Sequence, residues 1–461
     1  MNTNTLSRMA LAASLSLVLF GAACGDKDDD TGTGGGDGGA DGGTGDGGGD
    51  GGGTTGEVEC EDGVCIVSGT ITEDQVWSAD YAWLLRGGVF IGDDENQTVL
   101  TIEPGTTVYG ESATDGMLVI RRASKLMAEG TAAAPIVFTS SKSPGSRARG
   151  DWGGLIINGR APINACSDPE AEDCEAYGEG GTGWYGGNDP EDSSGILQYV
   201  RVEFAGTLIS PDNELNGIAF QGVGRGTTIE HIQVHMNSDD GVEFFGGTAQ
   251  AKYLLTTGIG DDNLDWTDGW QGKVQFVVAQ QYDDNGDNGI EADNNGEDNA
   301  AEPFSSPTIS HITLIGSPDS ADSDVGMLLR EGTKASISNA IVVGWNDACI
   351  DIDNDQTWLN ADAGDLALDH SVVSCATNFT ADDDPGSVQD WFTGGTGNTA
   401  ADPKLADPYN QGAPGFVPGS GSPALSGGSA PSDSFFEAAT FIGGVDPSDD
   451  WTAGWTTSAA N

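Results

Sequence analysis

The stretch DDGVEFF at residues 239–245 returns four times in altered form: DDNLDWT at 261–267, DNGIEAD at 287–293, DVGMLLR at 324–330 and DACIDID at 347–353. Matched on their first acid, the segments start 22, 26, 37 and 23 residues apart. That interval is one turn of a solenoid, with an insertion before the fourth segment. The fourth and sixth positions are always apolar: Val242 and Phe244, Leu264 and Trp266, Ile290 and Ala292, Met327 and Leu329, Ile350 and Ile352. Alternate residues of a strand point to opposite faces, so these two columns are predicted to stack inside and the fifth position to face out. Glu243, Asp265, Glu291, Leu328 and Asp351 occupy that outward column.

Other strand-like pieces lie between the segments, among them Ile232–Met236, Lys273–Ala279, Ile312–Gly316 and Ile341–Gly344. Each period therefore supplies two or three strands and no helix. Leucine-rich and ankyrin repeats each need a helical or near-helical piece, and a propeller blade needs about twice the length. What remains is an all-β parallel β-helix, expected to be right-handed from the resemblance given below. Composition agrees, since 72 glycines in 461 residues break the chain too often for helices of ordinary length.

The ends of the chain read differently. Residues 1–23 have a short polar start with Arg8, an apolar run from Met9 to Phe20 and the small residues Gly21-Ala-Ala before Cys24, the three parts of a signal peptide. The apolar run is too short to span a bilayer. A lone cysteine there resembles the lipid-attachment residue of bacterial lipoproteins, although Gly21 stands where that pattern usually has Leu. The expected location is the cell surface, as an outer-membrane lipoprotein held by lipid at Cys24, with a secreted form as the alternative. From residue 24 to 57 the chain is almost wholly Gly, Asp and Thr, a self-repelling linker with nothing to bury. The predicted divisions are signal peptide 1–23, linker 24–57, β-helix 58–400 with an insertion at 163–194, and C-terminal cap and tail 401–461.

The six remaining cysteines suggest three local disulfides in an exported protein: Cys60–Cys65, Cys166–Cys174 and Cys349–Cys375. Asp and Glu total 73 against 17 Lys and Arg, a net charge of −56, which repels phosphate backbones and excludes nucleic acid as a partner.

The stretches LTIEPGTTVYG (100–110), LVIRRASKLMAEGTAAAPIVFTSS (118–141), GDWGGLIINGRAPIN (150–164), GILQYVRVEFAG (195–206) and NGIAFQGVGRGTTIEHIQV (216–234) resemble a family of bacterial surface lipoproteins with a pectin-lyase-like β-helix. GFVPGSGSPAL (415–425) and DWTAGW (450–455) extend the resemblance to roughly residues 66–455. The resemblance implies a parallel β-helix at the cell surface. The family has no established activity, so it implies no chemistry.

Any chemistry is expected on the outward acidic column. Adjacent turns are about 4.8 Å apart, and carboxylates at that spacing repel unless protonated, solvated or bridged by a cation. Oxygen-only ligands favour Ca²⁺. The candidate metal ligands are Asp239, Glu243, Asp261, Asp265, Asp287, Glu291 and Asp293; Asp239, Asp240, Asp261, Asp262 and Asp287 are expected to form an outer acidic rim beside the column, Asp268 and Asp293 add further oxygens, and the competing reading is a solvated acidic face. The segment Asn237-Ser-Asp-Asp-Gly241 resembles the polygalacturonase acid cluster, and His235 precedes it, placed outward on its strand by alternation. Asp239, Asp240 and His235 are thus the candidate catalytic residues of a polysaccharide lyase or hydrolase, although the second Gly-His pair and the basic motif of those enzymes are missing. The favoured alternative is a non-enzymatic surface protein whose calcium-stabilised face serves adhesion or glycan binding. Its partner would be an extracellular polysaccharide or another surface protein, and Trp184, Tyr185, Trp270 and Trp358 are the aromatic candidates for stacking on sugars. The insertion between Cys166 and Ser194 is the expected functional loop.

Overall fold

The computed structural model describes residues 55–168, 171, 173–210, 213–381 and 385–461. The expected signal peptide, Cys24 and nearly all of the linker fall outside them. Twenty-five strands join in one sheet, and apart from an N-terminal hairpin of Glu57–Glu61 with Val64–Ile71 its pairings are parallel. The molecule is a parallel β-helix.

The repeat read from the sequence is the register of one face. Val242 pairs with Leu264 and Leu264 with Ile290; Glu243 pairs with Asp265 and Asp265 with Glu291; Leu328 pairs with Asp351. All ten residues of the two apolar columns are at most 1% exposed. Phe244 of these columns stacks on Phe220 of the preceding turn at 5.1 Å and on Trp270 at 4.2 Å. Alternation thus sends every second side chain into the core, and register follows because a slip of one residue would place acids inside.

The other faces are built by longer strands: Gly195–Glu203, Thr228–His235, Gln250–Thr257, Lys273–Gln280, Thr308–Ile315 and Ala335–Val343. Each bends at a single residue with a left-handed backbone: Tyr199, His231, Tyr253, Phe276, His311 and Asn339, with φ between 49° and 66°. For a residue with a Cβ this conformation costs roughly 1–2 kcal/mol. Consecutive turns offset that cost by stacking. Tyr199 lies on His231 at 4.2 Å, His231 on Tyr253 at 4.3 Å, Tyr253 on Phe276 at 5.0 Å and Phe276 near His311 at 5.3 Å.

Residues beyond 401 run back along this stack toward the N-terminal turns. Asn339 donates to the Ser429 carbonyl, Phe441 packs edge-on against His311, Trp451 and Trp455 pack edge-on against His231, and Asn461 reaches Arg147. The C-terminal end of the core is instead closed by two short helices, Asp355–Ala363 and Val388–Gly394, which bring Trp358, Val388 and Phe392 into the interior. The three predicted disulfides form: Cys60–Cys65, Cys166–Cys174 and Cys349–Cys375. Among the described residues no helix is long and apolar enough to cross a membrane.

Candidate functional site

The site grows from the strand ends of the repeat. In each of the first three segments the opening acids lie in the turn and the fifth residue lies on the strand that follows. In the turns, Asp240 Oδ1 accepts the Asp262 N–H at 3.0 Å, and Asp262 Oδ1 accepts the Asn288 N–H at 2.7 Å. One side-chain oxygen per turn therefore ties down the backbone of the next turn, which explains why an Asx residue recurs there.

Four groups of three carboxylates result, each with oxygens within 4.8 Å of one another: Asp239, Asp240 and Asp261; Asp240, Glu243 and Asp265; Asp261, Asp262 and Asp287; Asp262, Asp265 and Glu291. They form a two-by-two grid. Asp240 and Asp262 link the turn row to the strand row, while Asp261 and Asp265 link one turn of the solenoid to the next. The sequence placed Asp240 and Asp262 on an outer rim. The structure makes them the residues that join rim and column.

Although this face points away from the core, it is not open. Glu243 is 6% exposed and Asp265 is 9% exposed. The inserted hairpin of Glu175–Gly178 with Gly183–Gly186 covers its N-terminal end, and Tyr185 packs on Phe245 and donates to Asp268 Oδ2 at 2.9 Å. Burial and then neighbouring carboxylates hold Asp240, Glu243, Asp262 and Asp265 well above the usual carboxylate range. Asp239 is pushed up to about 8 by burial and by Asp261, Glu214 and Glu179. Burial with Asp262 and Asp261 raises Asp287 to about 8, burial raises Glu291 to about 8 against the pull of Arg330, and burial takes Asp268 to about 6.

Compensation is one-sided. The Arg330 guanidinium binds Glu291 and donates to Asp293 at 3.0 Å, so Asp293 stands apart from the four triads, held by an arginine. Among the described residues, the ion pairs place no cation on Asp239, Asp240, Glu243, Asp261, Asp262 or Asp265. Asp265 Oδ1 is buried and has no hydrogen-bond partner. Two carboxylates 4.8 Å apart repel by about 3 kcal/mol at an effective dielectric of about 20. Eight such groups in contact must take up protons or cations.

Three oxygens no more than 4.8 Å from one another lie within about 2.8 Å of a common centre, so a small inward shift brings them to the about 2.3–2.6 Å at which Ca²⁺ holds oxygen. The smaller octahedron of Mg²⁺, with oxygens about 2.0–2.1 Å from the metal, would require the groups to close in further. The donor set is all oxygen and anionic, and it fits a hard divalent cation.

Other candidates lie elsewhere. His235 is fully buried, not on the surface as alternation suggested: Nδ1 sits 2.8 Å from Thr257 Oγ1, Nε2 sits 2.8 Å from the Ala459 carbonyl, and the C-terminal tail lies over it. It does not line the cavity beside Asp239 and Asp240. Of the four aromatics considered for sugar stacking, Trp270 and Trp358 pack the interior and Tyr185 is buried on the underside of the inserted hairpin, whereas Trp184 is 41% exposed. Asp351 accepts from the Thr380 hydroxyl and the Ile352 N–H, which sets it apart from the four triads.

What the sequence did not reveal is the wall of that cavity. Its volume is about 230 Å³, and Glu179 from the inserted hairpin, Glu214 from a second small hairpin and Asn216 line it together with Asp239, Asp240 and Glu243. Both hairpins interrupt the repeat, so no column position signalled them. Among curated proteins, none matches the chain. Residues 69–456 match the family described as a pectate-lyase-like β-helix domain, and the chain belongs to that family.

Proposed function

We propose that the acidic face binds Ca²⁺, and that the protein is a cell-envelope lipoprotein, anchored at Cys24, which uses this calcium-stabilised face to bind extracellular glycan without cleaving it. Family membership supports a carbohydrate-related role. The observation that carries the metal reading is Asp265: a buried carboxylate oxygen without a partner, shared by two of the four triads and reached by no basic side chain. Leaving such a group unmatched is costly, and a divalent cation is the partner that its neighbours are already spaced to share.

Binding is favoured over cleavage by the fate of the basic groups. His235 is enclosed by the tail, and Arg330 is committed to Glu291 and Asp293. A lyase would need a base free to abstract a proton, and neither of these groups is free to do so; a pair of carboxyls could itself supply the acid and base of hydrolysis, which the glycan incubations below test. The test is calorimetric titration of the metal-stripped chain with Ca²⁺, alongside elemental analysis of the protein as purified. Binding that disappears in Asp265→Asn is expected; absence of binding in the unaltered chain would sink the metal reading. Incubation with pectin, alginate and neutral glycans should release no reducing ends or unsaturated sugars. Mass analysis of the mature N-terminus should find lipid on Cys24 and none in Cys24→Ser.

A further inference from the structure

The first inserted hairpin has two unlike faces. On the inner one, Ala176 and Tyr185 are buried and pack with Ile163, Leu215 and Phe245. Alternation puts Glu175, Tyr177, Trp184 and Gly186 on the outer one, and register sets Tyr177 directly opposite Trp184. These two rings are 55% and 41% exposed and meet edge to face at 5.3 Å. The other ten of the eleven tryptophans are buried or half-buried. A fold that covers its remaining indoles leaves this one out beside a tyrosine, and contiguous exposed apolar surface marks a place of contact with a partner.

The hairpin also holds the rings still. Cys174, just before it, is bonded to Cys166; Arg122 binds Glu175 and donates to the Gly186 carbonyl at 3.4 Å; the Gly186 N–H donates to the Gly159 carbonyl at 3.0 Å; and the Tyr185 hydroxyl is fixed by Asp268. A preorganised ring pair gives up little conformational freedom when a ligand settles on it. The ring faces suit a ligand with a flat apolar side, and the indole N–H and phenolic O–H at their edges suit hydroxyl groups around it. A sugar ring offers both.

Two residues along the hairpin from the rings, about 7 Å away, opens a groove of about 490 Å³ lined by Arg122, Arg160, Asp173, Glu175, Asn188 and Asp189. Its side chains carry both signs and bind one another, Arg122 with Glu175 and Asn188 donating to Asp173. Such a lining offers donors and acceptors to hydroxyl groups. A polyanion would meet three carboxylates there on a chain of charge −56, and a polycation would have to face both arginines.

We infer that the outer face of this hairpin and the adjoining groove bind a neutral hexose polysaccharide, one sugar ring stacked on Tyr177 and Trp184 and its neighbour hydrogen-bonded in the groove. The inference rests on the glycan-binding reading of the acidic face, whose N-terminal end the hairpin covers, and narrows it. None of these residues belongs to a carboxylate triad, so sugar and cation draw on different side chains.

The experiment titrates the calcium-loaded full chain by calorimetry with oligosaccharides of equal length: glucose, mannose and galactose oligomers as the neutral chains, and a galacturonate oligomer as the acidic one. At least one neutral oligomer is expected to bind about tenfold more tightly than galacturonate, a difference of about 1.4 kcal/mol. Tyr177→Ala/Trp184→Ala should weaken that oligomer by a similar factor, while an unchanged Ca²⁺ titration of the same variant shows that its fold is intact. Neutral binding that survives the double variant, or galacturonate bound as tightly, would overturn the inference and leave the glycan reading standing. So would a double variant that turns a dimer into a monomer and leaves sugar binding alone, because the rings would then belong to an interface between copies. If no oligosaccharide binds, the glycan reading falls as well, and the Ca²⁺ titration reports separately on the metal.

Discussion

Two ladders run along the outside of the same β-helix, each with one side chain per turn and each with the spacing that strand pairing imposes. In the aromatic ladder, Tyr199, His231, Tyr253 and Phe276 stack at 4.2–5.0 Å, and contact between neighbours is attractive. In the acidic ladder, Glu243, Asp265 and Glu291 are set side by side by the same register, and contact is repulsive. A solenoid multiplies whatever it repeats. Repetition of rings yields stability directly, whereas repetition of carboxylates yields a site that is stable only when something else is bound.

Metal removal separates the ladders most strongly. Adding a chelator to calcium-loaded protein near pH 8 should lower stability by about 3 kcal/mol if calcium had been at a hundred times its dissociation constant, read as a fall in Tm. An unchanged Tm would mean that the acidic ladder has no need of a cation.

Tyr253→Ala is next. It deletes the stacks on His231 and Phe276, the edge contact with Trp451 and the hydrogen bond to Glu437, and should cost about 2–3 kcal/mol whether or not calcium is present. Dependence of that loss on calcium would contradict the independence of the two ladders.

Asp265→Asn should act with opposite signs in two conditions. In chelator it relieves repulsion and raises stability by about 1 kcal/mol; with calcium it removes a ligand and lowers stability. Chemical denaturation in both buffers reads both effects.

Proton linkage gives the smallest and most diagnostic contrast. Asp239 and Asp287 sit near 8 in the metal-free fold, above their unfolded values, so the folded state binds the extra protons. Their contribution is full below about pH 4 and is lost as pH rises toward 8, and metal-free protein should weaken over that window. His231 and His311 are held near 4 by burial, below their unfolded value, so their contribution is full above about pH 6.5 and lost as pH falls toward 4. Glu437, the charged group facing His231, moderates its shift, and His311 meets Ser310, Gln275, Phe276 and Phe441. Replacing His231 by Phe should flatten the acid-side slope alone.

The acidic ladder could be read from the sequence because its residues repeat in kind, with an Asp opening each turn and an acid flanked by apolar neighbours on the strand. Register then placed Glu243 beside Asp265 and Asp265 beside Glu291, as the strand pairings do. The aromatic ladder repeats in position but not in kind. Tyr, His, Tyr, Phe, His and Asn share a backbone bend, and nothing in a pattern of hydropathy marks a left-handed residue inside a strand. The burial of His235 depends on Ala459, more than two hundred residues later. Glu179 and Glu214 reach the cavity from hairpins whose placement depends on Tyr185 and Leu215 finding their pockets. Contacts of the first kind are local and periodic, and those of the second exist only once the tertiary structure does.

The returning C-terminal segment has a consequence for how the protein is made. Turns of a solenoid can assemble in order as the chain emerges, each on the one before. The segment from Ser429 to Asn461 lies across those turns in reverse order, so residues late in the sequence touch turns formed well before them, from Asn339 back to Gln233 and Arg147. A chain cut short near residue 400 would still wind, but its turns would open one by one instead of together. Residues 401–461 act as a stitch drawn back through finished cloth, and their removal is expected to leave the strands in place but broaden the unfolding transition, which circular dichroism during chemical denaturation would read.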